Sequence, residues 1–124
     1  MVEKKTKQAQ NRGAVTKPAY HAREAALLVL LQVERDGAYA NLALKKLLDN
    51  SEVSAVDARL AAQLVYGTVR QKNALDHILA QLLSRPLEQL MLEARVILRM
   101  AIYQLYYLNN AQPYAVVDQA VRCV

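Results

Sequence analysis

Apolar residues recur every three or four positions along most of this chain, and few residues interrupt the pattern. Such spacing places apolar side chains on one face of an α-helix. Leu and Ala number 20 each, against 13 Val and 3 Ile. That balance favours helix, because straight-chain side chains keep their rotamer freedom there. Only three Gly and three Pro occur among 124 residues, so the sequence predicts one all-α domain with a core of its own.

The breaks in the pattern divide the domain into about six to seven helices. We predict helices over 20–35, 40–48, 55–70, 73–83 and 93–108, a short piece over 87–91, and a last helix from 114 to the end. Gly37 is a stop signal, and Ser54 with Asp57 is a capping arrangement for the third helix. Asn73 is the expected cap of the fourth.

The predicted core follows the helical spacing within each segment. Its members are Ala26, Leu27, Leu30, Leu31, Val33, Leu44, Leu47, Leu48, Leu60, Leu64, either Tyr66 or Val69, Leu75, Ile78, Leu79, Leu82, Leu83, Ile97, Ala101 and Leu105. Gly67 interrupts a helical stretch at a cost of about 1 kcal/mol. It indicates either a close contact or kink, or a boundary between two helices. Arg99 lies in an apolar helix and is expected to form a structural hydrogen bond or ion pair.

Charge is concentrated at the beginning of the chain. Residues 1–23 carry six basic side chains and one acidic one, whereas 24–124 carry ten of each. Residues 1–18 lack apolar periodicity, which predicts a basic tail that is disordered until it binds. A basic tail on a neutral domain favours a polyanionic partner, although a solubilising leader has the same composition.

Several classes of protein are disfavoured. A single cysteine, Cys123, excludes an internal disulfide and a Cys-rich metal site, and it is expected to be a small core residue. Asp57, Asp76, Glu93 and Asp118 lack the spacing of metal ligands. No signal-peptide pattern and no run of 18 apolar residues is present, so we predict a cytoplasmic protein without membrane or metal partners.

Three segments carry a resemblance to a known family. They are "GAYANLALKKLL" at 37–48, "DARLAAQLVYGTVRQKNALDHIL" at 57–79 and "ARVILRMAIYQLYYLNNAQPYAVVDQAV" at 94–121. In this order they resemble the N-terminal domain of the RsmB/Sun-type 16S rRNA cytosine-C5 methyltransferases, which is itself similar to the antitermination factor NusB. "GAYANLAL" and "LVYGTVR" are the most specific pieces. The resemblance implies a NusB-like, all-α RNA-binding domain over 19–124 behind the tail of 1–18.

The family places its chemistry in another domain. The resemblance implies an S-adenosylmethionine-dependent parent enzyme, whose C-terminal methyltransferase domain would follow in cis and is absent from this chain. No glycine-rich turn after a strand is present, so we expect no cofactor and no catalytic residue here. The last predicted helix has no terminator before Val124, which indicates that the natural chain continues.

The resemblance also implies where small-subunit rRNA would bind. In NusB-like proteins a basic N-terminal segment and the start of the first helix contact RNA. The residues at these positions are Arg12, Lys17, Tyr20, His21 and Arg23. A second basic group, Arg70 and Lys72, lies between the third and fourth helices and is a further candidate for RNA contact. Tyr20 has the alternative of packing on the first helix, and His21 that of an exposed polar residue.

The sequence is also compatible with two other functions. One is a free-standing NusB-type transcription antitermination factor, which would bind RNA with a partner protein. The other is a protein–protein docking module that uses the apolar segment "YQLYYLNNAQPY" at 103–114.

Overall fold

A computed structural model describes residues 16–108, and the structural statements below concern this part of the chain. It contains five α-helices and one 3-10 helix. They are α1 (Ala22–Asp36), α2 (Ala40–Asp49), α3 (Ala55–Arg70), α4 (Lys72–Leu82), the 3-10 helix (Leu87–Gln89) and α5 (Leu92–Tyr107). The all-α prediction is confirmed, with helix ends within two residues of those expected. The helix predicted over 114–124, Cys123 and the tail residue Arg12 lie outside the described residues.

Local signals in the sequence set most of these helix ends. Gly37 ends α1 in the left-handed conformation, with φ of 69°, which a glycine adopts without steric cost. The Ser54 hydroxyl accepts the Asp57 backbone N–H at 3.1 Å and caps α3 as expected. The predicted cap at Asn73 is wrong: α4 follows α3 after the single residue Gln71 and is already helical at 72.

Helix α1 is the centre of the bundle. It packs against α2, α3 and α5, while α4 lies on α5. Its inner face carries small residues, Ala25 and Ala26, which are completely buried beside Val29. Short side chains let neighbouring helices approach closely, so the core of a small domain is dense. The buried residues opposite them are Ala61, Leu64 and Val65 of α3 and Val96, Ile97 and Met100 of α5.

Side-chain contacts at both ends of α1 give the direction of α3. His21, just before α1, lies with Nδ1 3.8 Å from Oδ2 of Asp57 in the first turn of α3. Lys72, just after α3, lies with Nζ 3.0 Å from Oε1 of Glu34 near the end of α1. The two helices therefore run in the same direction.

The same reasoning gives the direction of α5. Arg23 at the start of α1 contacts Gln104 near the end of α5, with Nε and Oε1 2.6 Å apart. Arg35 near the end of α1 lies with Nη2 3.5 Å from Oε2 of Glu93 at the start of α5. Helix α5 is therefore antiparallel to α1 and to α3.

Both alternatives for one inward position, Tyr66 and Val69, are exposed, as are the predicted core residues Leu82 and Leu105. Tyr66 and Val69 are 37% and 41% exposed, and Leu82 and Leu105 are 65% and 38% exposed. Helix α3 packs on both α1 and α5, so its buried face passes through Gly67 and Thr68 instead. Helical spacing predicts that a helix has a buried face, but the neighbouring helices determine which residues that face contains.

Candidate nucleic-acid interface

The segment that leads into α1 lies on the loop between α2 and α3. The Glu52 N–H donates to the Pro18 carbonyl at 2.8 Å, and the Tyr20 N–H donates to the Glu52 carbonyl at 3.0 Å. Lys17 adds a third contact, with Nζ 3.3 Å from the Asp49 carbonyl oxygen. The two backbone bonds fix the chain at 18–20, and the Lys17 side chain lies at the surface.

Tyr20 and His21 differ in how they meet the rest of the domain. Tyr20 is half-buried and packs against the core of the bundle. The His21 side chain is 88% exposed and lies beside Asp57. Its backbone N–H donates to Oε1 of Glu24 at 2.9 Å, which satisfies one free donor at the start of α1.

Arg23 is held in place by a buried amide. Its Nε donates to Oε1 of Gln104 at 2.6 Å. Gln104 is 2% exposed and donates from Nε2 to the Met100 carbonyl at 3.2 Å. Among the described residues this is the side-chain hydrogen bond of Arg23, and it uses one of the five N–H donors of the guanidinium.

The second basic group belongs to an ion network. Glu34 lies 3.0 Å from Lys72 Nζ and 3.4 Å from Arg99 Nη1. Arg99 is buried, and its Nε and Nη2 donate to the two carboxylate oxygens of Asp76 at 2.6 and 3.1 Å. The structural role predicted for Arg99 is thus confirmed. Arg70 ends α3 beside this network and is exposed.

The predicted contact residues form two groups. The start group is Lys17, Tyr20, His21 and Arg23; the junction group is Arg70 and Lys72. Glu34 stands thirteen positions after His21, which is about 20 Å at the rise of an α-helix. One group therefore lies at each end of α1, and the structure does not bring the two together.

An aromatic pair near the start group was not predicted as part of a site. The rings of Tyr103 and Tyr107 stack with centroids 5.3 Å apart and an interplanar angle of 14°. Tyr103 is 7% exposed and lies against Gly67, whereas Tyr107 is 41% exposed. The four-residue spacing of the two tyrosines on a predicted helix was the available signal.

A site for a metal ion or a nucleotide cofactor would need suitable side chains or a glycine-rich turn among the described residues. Among 16–108, no group of three or more His, Cys, Asp and Glu side chains is placed to hold a metal ion. The glycines in this part, Gly37 and Gly67, lie at a helix end and in a helix–helix contact. They do not fit the glycine-rich turn that S-adenosylmethionine would need, and we assign no cofactor chemistry to them. None of the helices described here has the length and apolar character to cross a membrane.

Comparison with known proteins identifies the family. The NusB family matches residues 20–124. This chain belongs to the NusB family. Its fold is also that of a chain in a solved structure described as the crystal structure of a plectonemic RNA supercoil, with a TM-score of 0.76, 25% identity, and coverage of 83% of this chain and 76% of that one.

NusB-family relatives of two kinds are similar in sequence. "Probable ribosomal RNA small subunit methyltransferase B" of Synechocystis sp. is 34% identical over 100 residues, which are 81% of this chain and 22% of that protein. "Transcription antitermination protein NusB" of Aeromonas salmonicida is 32% identical over 72 residues, 58% of this chain and 53% of that protein. The chain thus spans about a fifth of the methyltransferase relative and about half of the antitermination relative.

Proposed function

We propose that this chain is the RNA-binding domain of an rRNA cytosine-C5 methyltransferase, which holds small-subunit rRNA for a methyltransferase domain in the same polypeptide. The observation that carries the proposal is the match to the Synechocystis relative. This match covers 81% of the chain but only 22% of that protein. The transfer of a methyl group from S-adenosylmethionine then belongs to the other domain. Because the proposed substrate is ribosomal RNA, we expect the protein in the cytoplasm.

The charges of the start group support a role in RNA binding. Lys17 and Arg23 flank the beginning of α1, where backbone N–H groups also point outward. Phosphates are bound by such cations without regard to sequence, which positions an RNA rather than identifies it. We extend the interface to the basic residues of 1–18, including Arg12, and to the junction group at the other end of α1.

A salt series tests this role. Binding of a labelled single-stranded fragment of small-subunit rRNA is measured by fluorescence anisotropy, with the 124-residue chain and with a chain that begins at residue 19. If all six basic residues of 1–23 met phosphates, the slope of log affinity against log salt would be about −4. Loss of 1–18 should flatten the slope. A chain that binds no RNA at any salt concentration would overturn the proposal and favour a protein docking module.

The methyltransferase assignment needs its own experiment. We expect that deletion of the codons for residues 20–108 from the chromosomal gene removes a cytosine-C5 methyl group from small-subunit rRNA, as read by bisulfite sequencing. Unchanged methylation in such cells contradicts the assignment. An immunoblot for the domain gives the size of the natural protein: a band far above 13.9 kDa agrees with a methyltransferase parent.

A free-standing antitermination factor is the second candidate. The match to the Aeromonas protein named as such favours it. An antitermination factor predicts an immunoblot band near the mass of the chain itself. It also predicts unchanged rRNA methylation and altered readthrough of transcription terminators when the domain is deleted. The shorter aligned length, 72 residues against 100, places it second.

A further inference from the structure

The stacked tyrosines at the end of α5 form a rigid aromatic surface. Tyr107 presents its ring at 41% exposure, and the ring of Tyr103 lies behind it in a nearly parallel plane. A free tyrosine on a helix surface samples several rotamers, whereas a ring stacked on a buried one is restricted. The part of the surface that Tyr107 offers is therefore preformed.

Gly67 is what makes this position of Tyr103 available. A Cβ on residue 67 would collide with the Cζ, hydroxyl and Cε1 atoms of Tyr103. Helix α3 thus has a gap in its side-chain surface, and the phenol of α5 fills it. The aromatic surface rests on the bundle core rather than on solvent-facing side chains.

A cation from α1 contacts the adjoining part of α5. Arg23 reaches across from α1 to Gln104, which stands three residues before Tyr107 and therefore on the same face of α5. Residues three apart on a helix have Cβ atoms about 5–6 Å from each other. Gln104 thus holds a guanidinium on the same face of α5 that presents the exposed Tyr107 ring, and these two groups match the two parts of a nucleotide, its phosphate and its base.

We propose that Tyr107 is a stacking platform for an unpaired base of single-stranded RNA, and that Arg23 contacts a neighbouring phosphate of the same strand. The site rests on the RNA-binding function proposed above and gives it a preference for unpaired RNA. In a duplex the base faces are covered by their neighbours, so a platform of this kind distinguishes the two forms.

The absence of tryptophan from the chain provides a direct probe. Tyr107→Trp introduces the only indole, whose fluorescence reports stacking, and it is titrated with a twelve-nucleotide single-stranded RNA of mixed sequence and with the corresponding duplex. Affinities of Tyr107→Ala and of a control, Tyr39→Ala, are measured by anisotropy. Tyr39 is also exposed, at 74%, but precedes α2. Circular dichroism and thermal unfolding verify that each variant is folded.

The expected results separate stacking from charge. Tyr107→Ala should weaken single-strand binding about 5- to 150-fold and leave the salt slope unchanged, whereas Arg23→Gln should reduce the slope by about 0.7. The indole fluorescence of Tyr107→Trp should be quenched by the single strand and not by the duplex. Full affinity in Tyr107→Ala, together with an unquenched indole in Tyr107→Trp, would overturn this proposal alone. No RNA binding by the wild type would overturn the proposed function.

Discussion

The phenol ring of Tyr103 occupies the space that a Cβ on Gly67 would need. Among the described glycines only Gly37 has a positive φ, so Gly67 is required for space and not for an unusual backbone. The helix continues through it to Arg70. The packing interpretation of this glycine is therefore confirmed, and the boundary interpretation is wrong.

Gly67→Ala sets two opposing effects against each other. Alanine gains about 1 kcal/mol of helix propensity, while overpacking against a buried ring costs about 1–3 kcal/mol. We expect a net loss of about 1 kcal/mol in the free energy of unfolding, measured by urea denaturation. In a Tyr103→Leu background the same change should become neutral or stabilising, because the shorter side chain leaves room. Stabilisation by Gly67→Ala in the wild-type background would mean that the ring is free to move.

The buried Arg99 depends on Asp76 for charge compensation. The side chains are 5% and 26% exposed, and removal of Asp76 leaves the buried charge with Glu34, 3.4 Å away, as its remaining acidic partner among residues 16–108. Asp76→Asn should therefore lower the free energy of unfolding by about 3 kcal/mol. Asp36→Asn is the control: this exposed carboxylate ends α1, and its loss should change stability by less than about 0.5 kcal/mol. Equal effects of the two variants would contradict the role of the network.

Among the described helices, α3 alone has an N-cap residue whose hydroxyl accepts a backbone N–H, and that residue is Ser54. Ser54→Ala leaves the Asp57 N–H without that acceptor and should destabilise the domain by about 1 kcal/mol, seen as a lower Tm in a thermal scan. Ser84→Ala, in the exposed bend after α4, is the matched control and should leave the Tm unchanged. A Tm that stays constant in both variants would show that water replaces the cap.

The exposed pair of Lys45 and Asp49 on α2 predicts a raised pKa and a contribution to stability that depends on pH. A hydrogen bond at 2.7 Å and the charge of Asp49 raise the pKa of Lys45 above its usual value. The pair thus favours the folded state below about pH 10, and this contribution disappears as the pH rises through the raised pKa. Asp49→Asn should lower the pKa of Lys45, as followed by NMR of its side chain. An unchanged pKa would show that the pair does not persist in solution.

Helix ends were predictable because their signals are local. Ser54 and Asp57 predict that the third helix begins at residue 55, and α3 begins there. Gly37 fixed the end of α1 in the same way. Capping bonds and left-handed glycines involve residues within a few positions of each other, and the sequence displays them directly.

Helix faces and the candidate site were less accessible. Leu105 continues the helical spacing of Ile97 and Ala101 but is exposed. The neighbours α1, α3 and α4 determine which side of α5 is buried. The bond from Arg23 to Gln104 joins residues 81 positions apart. A single sequence contains nothing that pairs them, so the anchoring of Arg23 and its place beside the tyrosine stack emerge only from the fold.

The distance between the start group and the junction group yields a prediction about RNA length. A stacked strand rises about 3.4 Å per nucleotide, so it needs about six nucleotides to span the roughly 20 Å along α1. Arg70→Gln should therefore weaken binding of a twelve-nucleotide RNA and leave a trinucleotide unaffected, whereas Arg23→Gln should weaken both. Affinities are measured by anisotropy or NMR shifts, with Arg85→Gln in the exposed bend before the 3-10 helix as the control. If Arg70→Gln and Arg85→Gln behave alike at every length, RNA does not reach the junction group, and the interface is confined to the start of α1 and the tyrosine stack.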